Sequence, residues 1–239
     1  QYSGIAAIAG VSLPSRGGID KGALIKKTII SRDFVQHLMN VDENFLPNLM
    51  AVKEYDKTNN AIIYDEEIYN ASNKKWIRPS VNGNLIPSFL ETHKKYINII
   101  NYSQEKISKI ISISVEHQSP EIAHDLLQLM LQELNNVIKN QDIDEAEQSI
   151  NYLNDQLKSI SQADIRKSIN TLIEAQLEKL MLANVKEYYL LQPIDLPYIP
   201  EEKSNPPRAL ICIIGTIFGF MIAISFVLIR HYLSIKNFF

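Results

Sequence analysis

Apolar residues recur every three or four positions over most of the chain, which is the spacing of one face of an amphipathic helix. A first helix is predicted from Asp20, whose side chain can cap it, with apolar positions at Leu24, Ile25, Ile29, Phe34, Val35 and Leu38. Pro87 and Ser88 are a start signal for another helix over 87–100.

Strict alternation of apolar and polar residues is confined to 106–118, where the residues predicted to share one face are Ile107, Ile111, Ile113 and Val115. This pattern is typical of a half-buried strand. Residues 61–69 could form a short strand or a short helix, and a further strand is predicted over 187–196.

The longest helical pattern begins at Ser119, Pro120 and Glu121, which are a cap, a first-turn proline and an acidic residue. Its apolar stripe comprises Ile122, Leu126, Met130, Leu134, Val137 and Ile138, and continues through Ala146, Ile150, Leu153, Leu157 and Ile160. The later steps of four and three are those of a seam between packed helices. An unbroken helix over 120–160 would be about 60 Å long.

A second long helix is predicted over 162–186, with Ser161 and Asp164 forming a variant capping box at its start. Its stripe comprises Ile165, Ile169, Leu172, Leu177 and Leu180. The predicted fold class is therefore α+β: a small membrane-proximal mixed sheet with a long helical arm or hairpin, followed by a C-terminal transmembrane helix.

The transmembrane prediction depends on residues 209–229, which carry no charge and are bracketed by Arg208 and Arg230. As a helix they would be about 32 Å long, close to the thickness of a bilayer's hydrocarbon core. Gly215 and Gly219 would let another membrane helix approach closely. The chain starts with glutamine and shows no signal peptide, so we expect an earlier membrane span to be missing from it.

Composition narrows the function classes. Hydrophobic residues make up 46% of the chain and the net charge is −3, which favours neither disorder nor nucleic-acid binding. There is only one cysteine, Cys212, so an internal disulfide is excluded. Cys212 lies in the apolar run, and the rest of the chain contains no thiol.

The sequence contains no recognisable catalytic, cofactor-binding or metal-binding motif. His117 and His124 are near one another in sequence, but we interpret them as solvated or capping residues. Asp142 and Asp144 have the spacing of a metal-binding Asp-x-Asp motif. On a helix they would point about 200° apart and could not share an ion.

Several stretches resemble a known family. Residues 113–123 (ISVEHQSPEIA), 180–195 (LMLANVKEYYLLQPID) and 200–219 (PEEKSNPPRALICIIGTIFG) are similar to Wzz-type chain-length determinants, the polysaccharide co-polymerases of Gram-negative bacteria. Residues 7–15 (AIAGVSLPS) and 74–80 (KKWIRPS) resemble earlier segments of that family, so the resemblance covers essentially the whole chain.

The family carries a proline-rich signature followed by two glycines in its second membrane helix. The residues that match it are Pro197, Pro200, Pro206 and Gly219. The departures are Asn205 for a serine, Pro207 for a lysine and Ala223 for the second glycine. Arg208 and Gly215 could substitute for the missing charge and glycine.

This resemblance implies a periplasmic domain over 1–196, a Pro-rich coupling segment over 197–208, the membrane span over 209–229 and a cytoplasmic tail over 230–239. It implies a non-enzymatic inner-membrane protein that forms homo-oligomeric rings and sets O-antigen chain length alongside the O-antigen polymerase. Lipid-linked or growing polysaccharide is a further possible ligand, and no cofactor is implied.

Two groups of residues receive roles from this interpretation. Coupling to a membrane partner is assigned to Pro197, Pro200, Pro206, Pro207, Arg208, Gly215 and Gly219. Packing between protomers is assigned to Ile150, Leu153, Leu157 and Ile160.

Other functions stay open at this point. The regulated polymer could be enterobacterial common antigen or capsule, or the protein could be a periplasmic helical-hairpin adaptor for an exporter. A membrane-bound glycan transferase or hydrolase would need paired carboxylates in a cleft.

Overall fold

The computed structural model describes residues 20–79, 83–201 and 208–236. The chain divides into two units, Gln1–Ile199 and Pro200–Phe239. The first unit contains the helices α1 (Lys21–Ile29), α2 (Arg32–Val41), α3 (Phe45–Met50), α4 (Phe89–Ile99), α5 (Pro120–Ser159) and α6 (Ala163–Val185). Its strands are β1 (Val52–Asp56), β2 (Ala61–Tyr64), β3 (Tyr69–Asn70), β4 (Lys75–Trp76), β5 (Ile100–Gln104) and β6 (Ile111–Val115). Helix α7 (Arg208–Lys236) belongs to the second unit, and the prediction of a mixed helix-and-sheet chain is confirmed.

The sheets differ from the prediction. Over the described ranges, the strands form three separate two-stranded antiparallel sheets, β1–β2, β3–β4 and β5–β6, so the predicted mixed sheet is wrong. Each strand pairs with its neighbour in sequence because a short turn joins the two. In the β5–β6 hairpin that turn includes Lys109 at a positive φ of 60°.

Strand β6 confirms most of the predicted alternation. Ile111, Ile113 and Val115 are half-buried, while the serines between them are exposed. Ile107 was predicted to lie on the same face, but it is 93% exposed. It precedes the strand and lies in the turn, where the alternation of side chains between two faces no longer applies.

One hydrophobic core unites α1–α4 with the first half of α5. Its buried members are Ile25, Ile29, Phe34, Val35, Leu38, Phe45, Leu49, Tyr96, Leu126, Met130, Leu134 and Ile138. Burying each large apolar side chain contributes about 1.5–3 kcal/mol. The predicted first helix is two helices, because Ser31 starts α2 by accepting a hydrogen bond from the Phe34 amide at 3.2 Å.

The start of α5 agrees with the prediction. Ser119 caps it by accepting a hydrogen bond from the Ile122 amide at 3.3 Å, and Pro120 and Glu121 occupy the first turn. The helix continues unbroken for 40 residues, which makes it about 60 Å long. A connection of three residues, 160–162, then reverses the chain into α6, and α5 and α6 form an antiparallel hairpin.

The seam of this hairpin uses the residues that were assigned to contacts between protomers. Leu153 is only 2% exposed and packs against Ile169, with Leu157 and Ile160 beside them. Ile150 is half-buried. Leu153 is therefore enclosed within its own chain, whereas the assignment of Ile150, Leu157 and Ile160 to contacts between protomers stays a prediction. Heptad spacing identifies a helix seam but does not distinguish a partner helix in the same chain from one in another chain.

The start of α6 also differs. Gln162 is its cap residue and makes no side-chain capping bond, so the predicted capping box of Ser161 and Asp164 is wrong. Instead, Arg166 donates hydrogen bonds to the carbonyls of Leu157 and Ile160, both at 3.2 Å. These bonds satisfy carbonyl groups at the end of α5 that lack a partner within the helix.

Candidate coupling site beside the helical hairpin

The chain that follows α6 is held against the hairpin by side chains. We call residues 186–199 the connecting segment. The prediction of a strand over 187–196 is wrong, since this segment has no regular secondary structure. The reason is visible at Leu190 and Leu191, where the backbone amides bind a side chain of α5 in place of a neighbouring strand.

That side chain belongs to Asn135, a buried residue on α5. Its Oδ1 accepts hydrogen bonds from the amides of Leu190 at 2.8 Å and Leu191 at 2.9 Å. Its Nδ2 donates to the carbonyls of Leu191 at 3.2 Å and Leu131 at 2.9 Å. An asparagine amide has two acceptor and two donor positions, so every hydrogen-bonding position of the Asn135 side chain has a partner. We call this arrangement the Asn135 clamp.

A second contact lies one residue earlier in the connecting segment. The Tyr189 hydroxyl donates to Oδ2 of Asp142 at 2.7 Å, and Lys179 of α6 pairs with Oδ1 of the same carboxylate at 2.7 Å. Burial and the bond to Asp142 raise the pKa of Tyr189 well above its ordinary value, which keeps the hydroxyl protonated as a donor. One carboxylate therefore joins α5, α6 and the connecting segment.

Apolar packing reinforces these bonds. Tyr189, Leu190 and Leu191 are partly buried and pack against the main hydrophobic core. Three successive residues are thus fixed by both packing and hydrogen bonds, and the connecting segment leaves the core at a defined place.

The contacts of Asp142 test whether Asp142 and Asp144, which have Asp-x-Asp spacing, could bind a metal ion together. Both oxygens of Asp142 are occupied by Tyr189 and Lys179, while Asp144 is exposed on the same helix. The two carboxylates serve different surroundings, as the helical geometry predicts. In the described ranges, no group of three or more His, Cys, Asp or Glu residues is placed to hold a metal ion.

The two neighbouring histidines have local partners. His117 Nδ1 accepts a hydrogen bond from the Ser119 amide at 3.1 Å, at the turn that starts α5. Burial lowers the pKa of His117 below its ordinary value. His124 Nδ1 lies 3.0 Å from the Asp125 carboxylate. The cavity beside His117 has a volume of about 50 Å³, which is small compared with the several hundred Å³ typical of a ligand pocket.

Sequence reasoning missed a contact between a buried carboxylate on α5 and a histidine on α2. Glu133 is 7% exposed and its Oε2 lies 2.6 Å from Nε2 of His37. Asn136 donates to the other carboxylate oxygen at 3.0 Å. Glu133 precedes Leu134 on the buried side of α5, and a charged residue at such a position is a signal for a partner.

The residues assigned to membrane coupling lie in several places. Pro197 is half-buried and Pro200 is exposed, whereas Pro206 and Pro207 fall outside the described residues. Arg208 is the first residue of α7. At Gly215 and Gly219, no heavy atom of the described residues, other than the nearby backbone of α7 itself, lies within 4 Å of the position that a Cβ would occupy.

Helix α7 is long and apolar enough to cross a membrane over Leu210–Leu228. The side chains in that window are exposed. Its polar side chains are satisfied within the helix, since Thr216 donates to the Cys212 carbonyl at 2.8 Å and Ser225 donates to the Met221 carbonyl at 2.9 Å. A helix that satisfies its own polar groups is suited to an apolar environment.

Comparison with known proteins does not assign a family. The chain matches no protein-family model, and no curated protein matches it significantly.

Proposed function

We propose that this protein is a non-enzymatic regulator of polysaccharide chain length, acting at the inner membrane as a Wzz-type co-polymerase for O-antigen. The bulk of the chain is then periplasmic, α7 crosses the membrane, and the C-terminal tail is cytoplasmic. The proposal rests on the sequence resemblance and on one structural observation, the Asn135 clamp that ties the long hairpin to the chain leading towards α7.

The mechanical argument starts from the clamp. Asn135 and Asp142 of α5 hold Tyr189, Leu190 and Leu191. A displacement of the hairpin therefore carries the start of the connecting segment with it. Pro193 and Pro197 restrict the backbone beyond this point, so the displacement is passed along a stiff chain. Such a connection suits a protein that regulates a membrane partner without chemistry of its own.

Self-association is part of the proposal, and a further set of residues, exposed on α6, is assigned to it. Leu177, Met181 and Val185 follow one another at intervals of four on α6 and are 46%, 67% and 82% exposed. Residues four apart share a helix face, and exposed apolar surface of this kind marks a contact surface. We assign contacts between protomers to this face, which we call the outer α6 face.

Deletion of the gene, followed by gel analysis of lipopolysaccharide, tests the proposal. The preferred O-antigen length should be lost and should return on complementation with the wild-type gene. An unchanged ladder together with co-purification of a transporter would instead support an exporter adaptor. A change confined to enterobacterial common antigen or capsule would keep the mechanism and reassign the polymer.

A further inference from the structure

The connecting segment ends in a concentrated set of exposed apolar side chains. We call Ile194, Leu196, Tyr198 and Ile199 the apolar strip; they are 79%, 69%, 78% and 47% exposed. Single exposed apolar residues are common on protein surfaces, but four within six residues are not scattered. The strip therefore calls for a partner that covers it.

The position of the strip in the chain limits that partner. Ten residues, 200–209, separate Ile199 from Leu210, the first residue of the window that can cross a membrane. Even fully extended, this link spans at most about 40 Å. If α7 is inserted, the strip is covalently held near a bilayer surface, and the high effective concentration favours contact with it.

The composition of the strip fits the interfacial layer of a bilayer. Tyrosine is enriched there because its ring is apolar and its hydroxyl can stay hydrated. Leucine and isoleucine gain from burial among the acyl chains. The start of the segment is anchored through Leu190 and Leu191, so the strip is presented from a fixed point.

The charges near the strip indicate that burial of apolar side chains, and not attraction to anionic lipid, drives its contact with the bilayer. The chain has no lysine or arginine between Glu187 and Glu202, Asp195 lies within the strip, and Glu201 follows it. Attraction to anionic headgroups requires basic residues close to the surface. Contact made by this segment should therefore occur on zwitterionic lipid and depend little on salt.

We infer that the apolar strip inserts its side chains into the interfacial layer of the bilayer that α7 enters. This makes the end of the connecting segment a second, peripheral membrane contact. The inference rests on the membrane placement in the proposed function.

The single native cysteine allows a direct test. Cys212 is replaced with serine, and a new cysteine is introduced at Tyr198, at Ser161 in the α5–α6 connection, or at Ile107 in the β5–β6 turn. The full chain is labelled with an environment-sensitive fluorophore and reconstituted into phosphatidylcholine vesicles. Lipids that carry a nitroxide near the headgroup then report direct contact.

The label at position 198 should shift to shorter wavelength and be quenched severalfold more than the labels at 161 and 107. Ile107 is a matched control, since it is 93% exposed and apolar. Neither added phosphatidylglycerol nor high salt should change the quenching at 198. Quenching that required anionic lipid, or that was equal at all three positions, would overturn the inference.

A separate label on the native Cys212 distinguishes the two proposals. Quenching of Cys212 by a deep nitroxide, without quenching at 198, would reject the strip contact and keep the membrane span. A blue shift at 198 without lipid quenching would also reject it, because it indicates burial against another protein surface. Absence of lipid quenching at Cys212 would reject the membrane placement itself.

Discussion

Replacing Asn135 with alanine removes the clamp while leaving the apolar core in place. The amides of Leu190 and Leu191 and the carbonyl of Leu191 then lose their side-chain partner. A buried donor left without a partner costs about 1–3 kcal/mol. Leu190 and Leu191 are only partly buried, so water can partly replace the lost bonds. We therefore take about 1 kcal/mol for each of the two amides, or about 2 kcal/mol together.

Native-state hydrogen exchange measures this loss locally. A cost of about 2 kcal/mol increases the population of the open state about 30-fold, so the amides of Leu190 and Leu191 should exchange faster by that factor. For a domain of this size the midpoint of thermal unfolding should fall by about 4–8 °C. Exchange in the seam around Leu153 should rise no more than the loss of global stability requires, because that cluster shares no partner with the clamp.

Asn184→Ala is the matched control. Asn184 is an exposed asparagine on α6 that donates to the Leu180 carbonyl of its own helix at 3.0 Å. Its replacement should change stability by less than about 0.5 kcal/mol. If Asn135→Ala left exchange at Leu190 and Leu191 within twofold of the parent, the clamp would not be what holds the connecting segment. A displacement of the hairpin would then not be passed to the connecting segment through Asn135.

Three further predictions follow from the same structure. Glu133→Gln should lower the free energy of unfolding by about 1–3 kcal/mol in urea titrations, because the new amide NH2 would face either His37 or Asn136, both of which now contact a carboxylate oxygen. An equal loss for the exposed Glu178→Gln would contradict this. Burial lowers the pKa of His117 below its ordinary 6.5, so the unfolded chain binds a proton that the folded chain resists, and stability should fall as the pH drops below 6.5. His117→Asn keeps an acceptor for the Ser119 amide and should flatten that part of the profile; an unchanged slope would assign the titration to another group. Met181→Glu on the outer α6 face should reduce the amount of oligomer measured by light scattering without lowering the midpoint of thermal unfolding. Thr171→Glu, at another exposed position on α6, should leave assembly intact. If the two variants behave alike, the outer α6 face does not form the contact between protomers.

Local signals in the sequence were sufficient for most of the helices. Ser119 and Pro120 start α5 as predicted, and Ser88 starts α4 with a capping box to Glu91. These signals are reliable because a capping side chain binds backbone amides only a few residues away. The cap and the amides that it binds are therefore both found in the same short stretch of sequence. The buried stripe from Leu126 to Ile138 was predictable for a related reason, since helical periodicity alone decides which residues share a face.

Which element packs against each apolar helix face was decided by the tertiary structure. Spacing identified Leu153, Leu157 and Ile160 as seam residues, but only the reversal of the chain after α5 shows that α6 fills the seam. The same limit explains the sheets, because alternation specifies a strand but does not specify its neighbour.

The candidate site shows the difference most clearly. Asn135 bonds to residues 55 and 56 positions away, and neither its helix nor the connecting segment carries a local sign of that contact. The sequence by itself determined that residues 187–196 are apolar enough to pack and that an uncharged run follows them. Only the folded hairpin decided that Asn135, and not a neighbouring strand, would bind the backbone amides of Leu190 and Leu191. The reason is that a hydrogen bond depends on distance in space and not on separation along the chain.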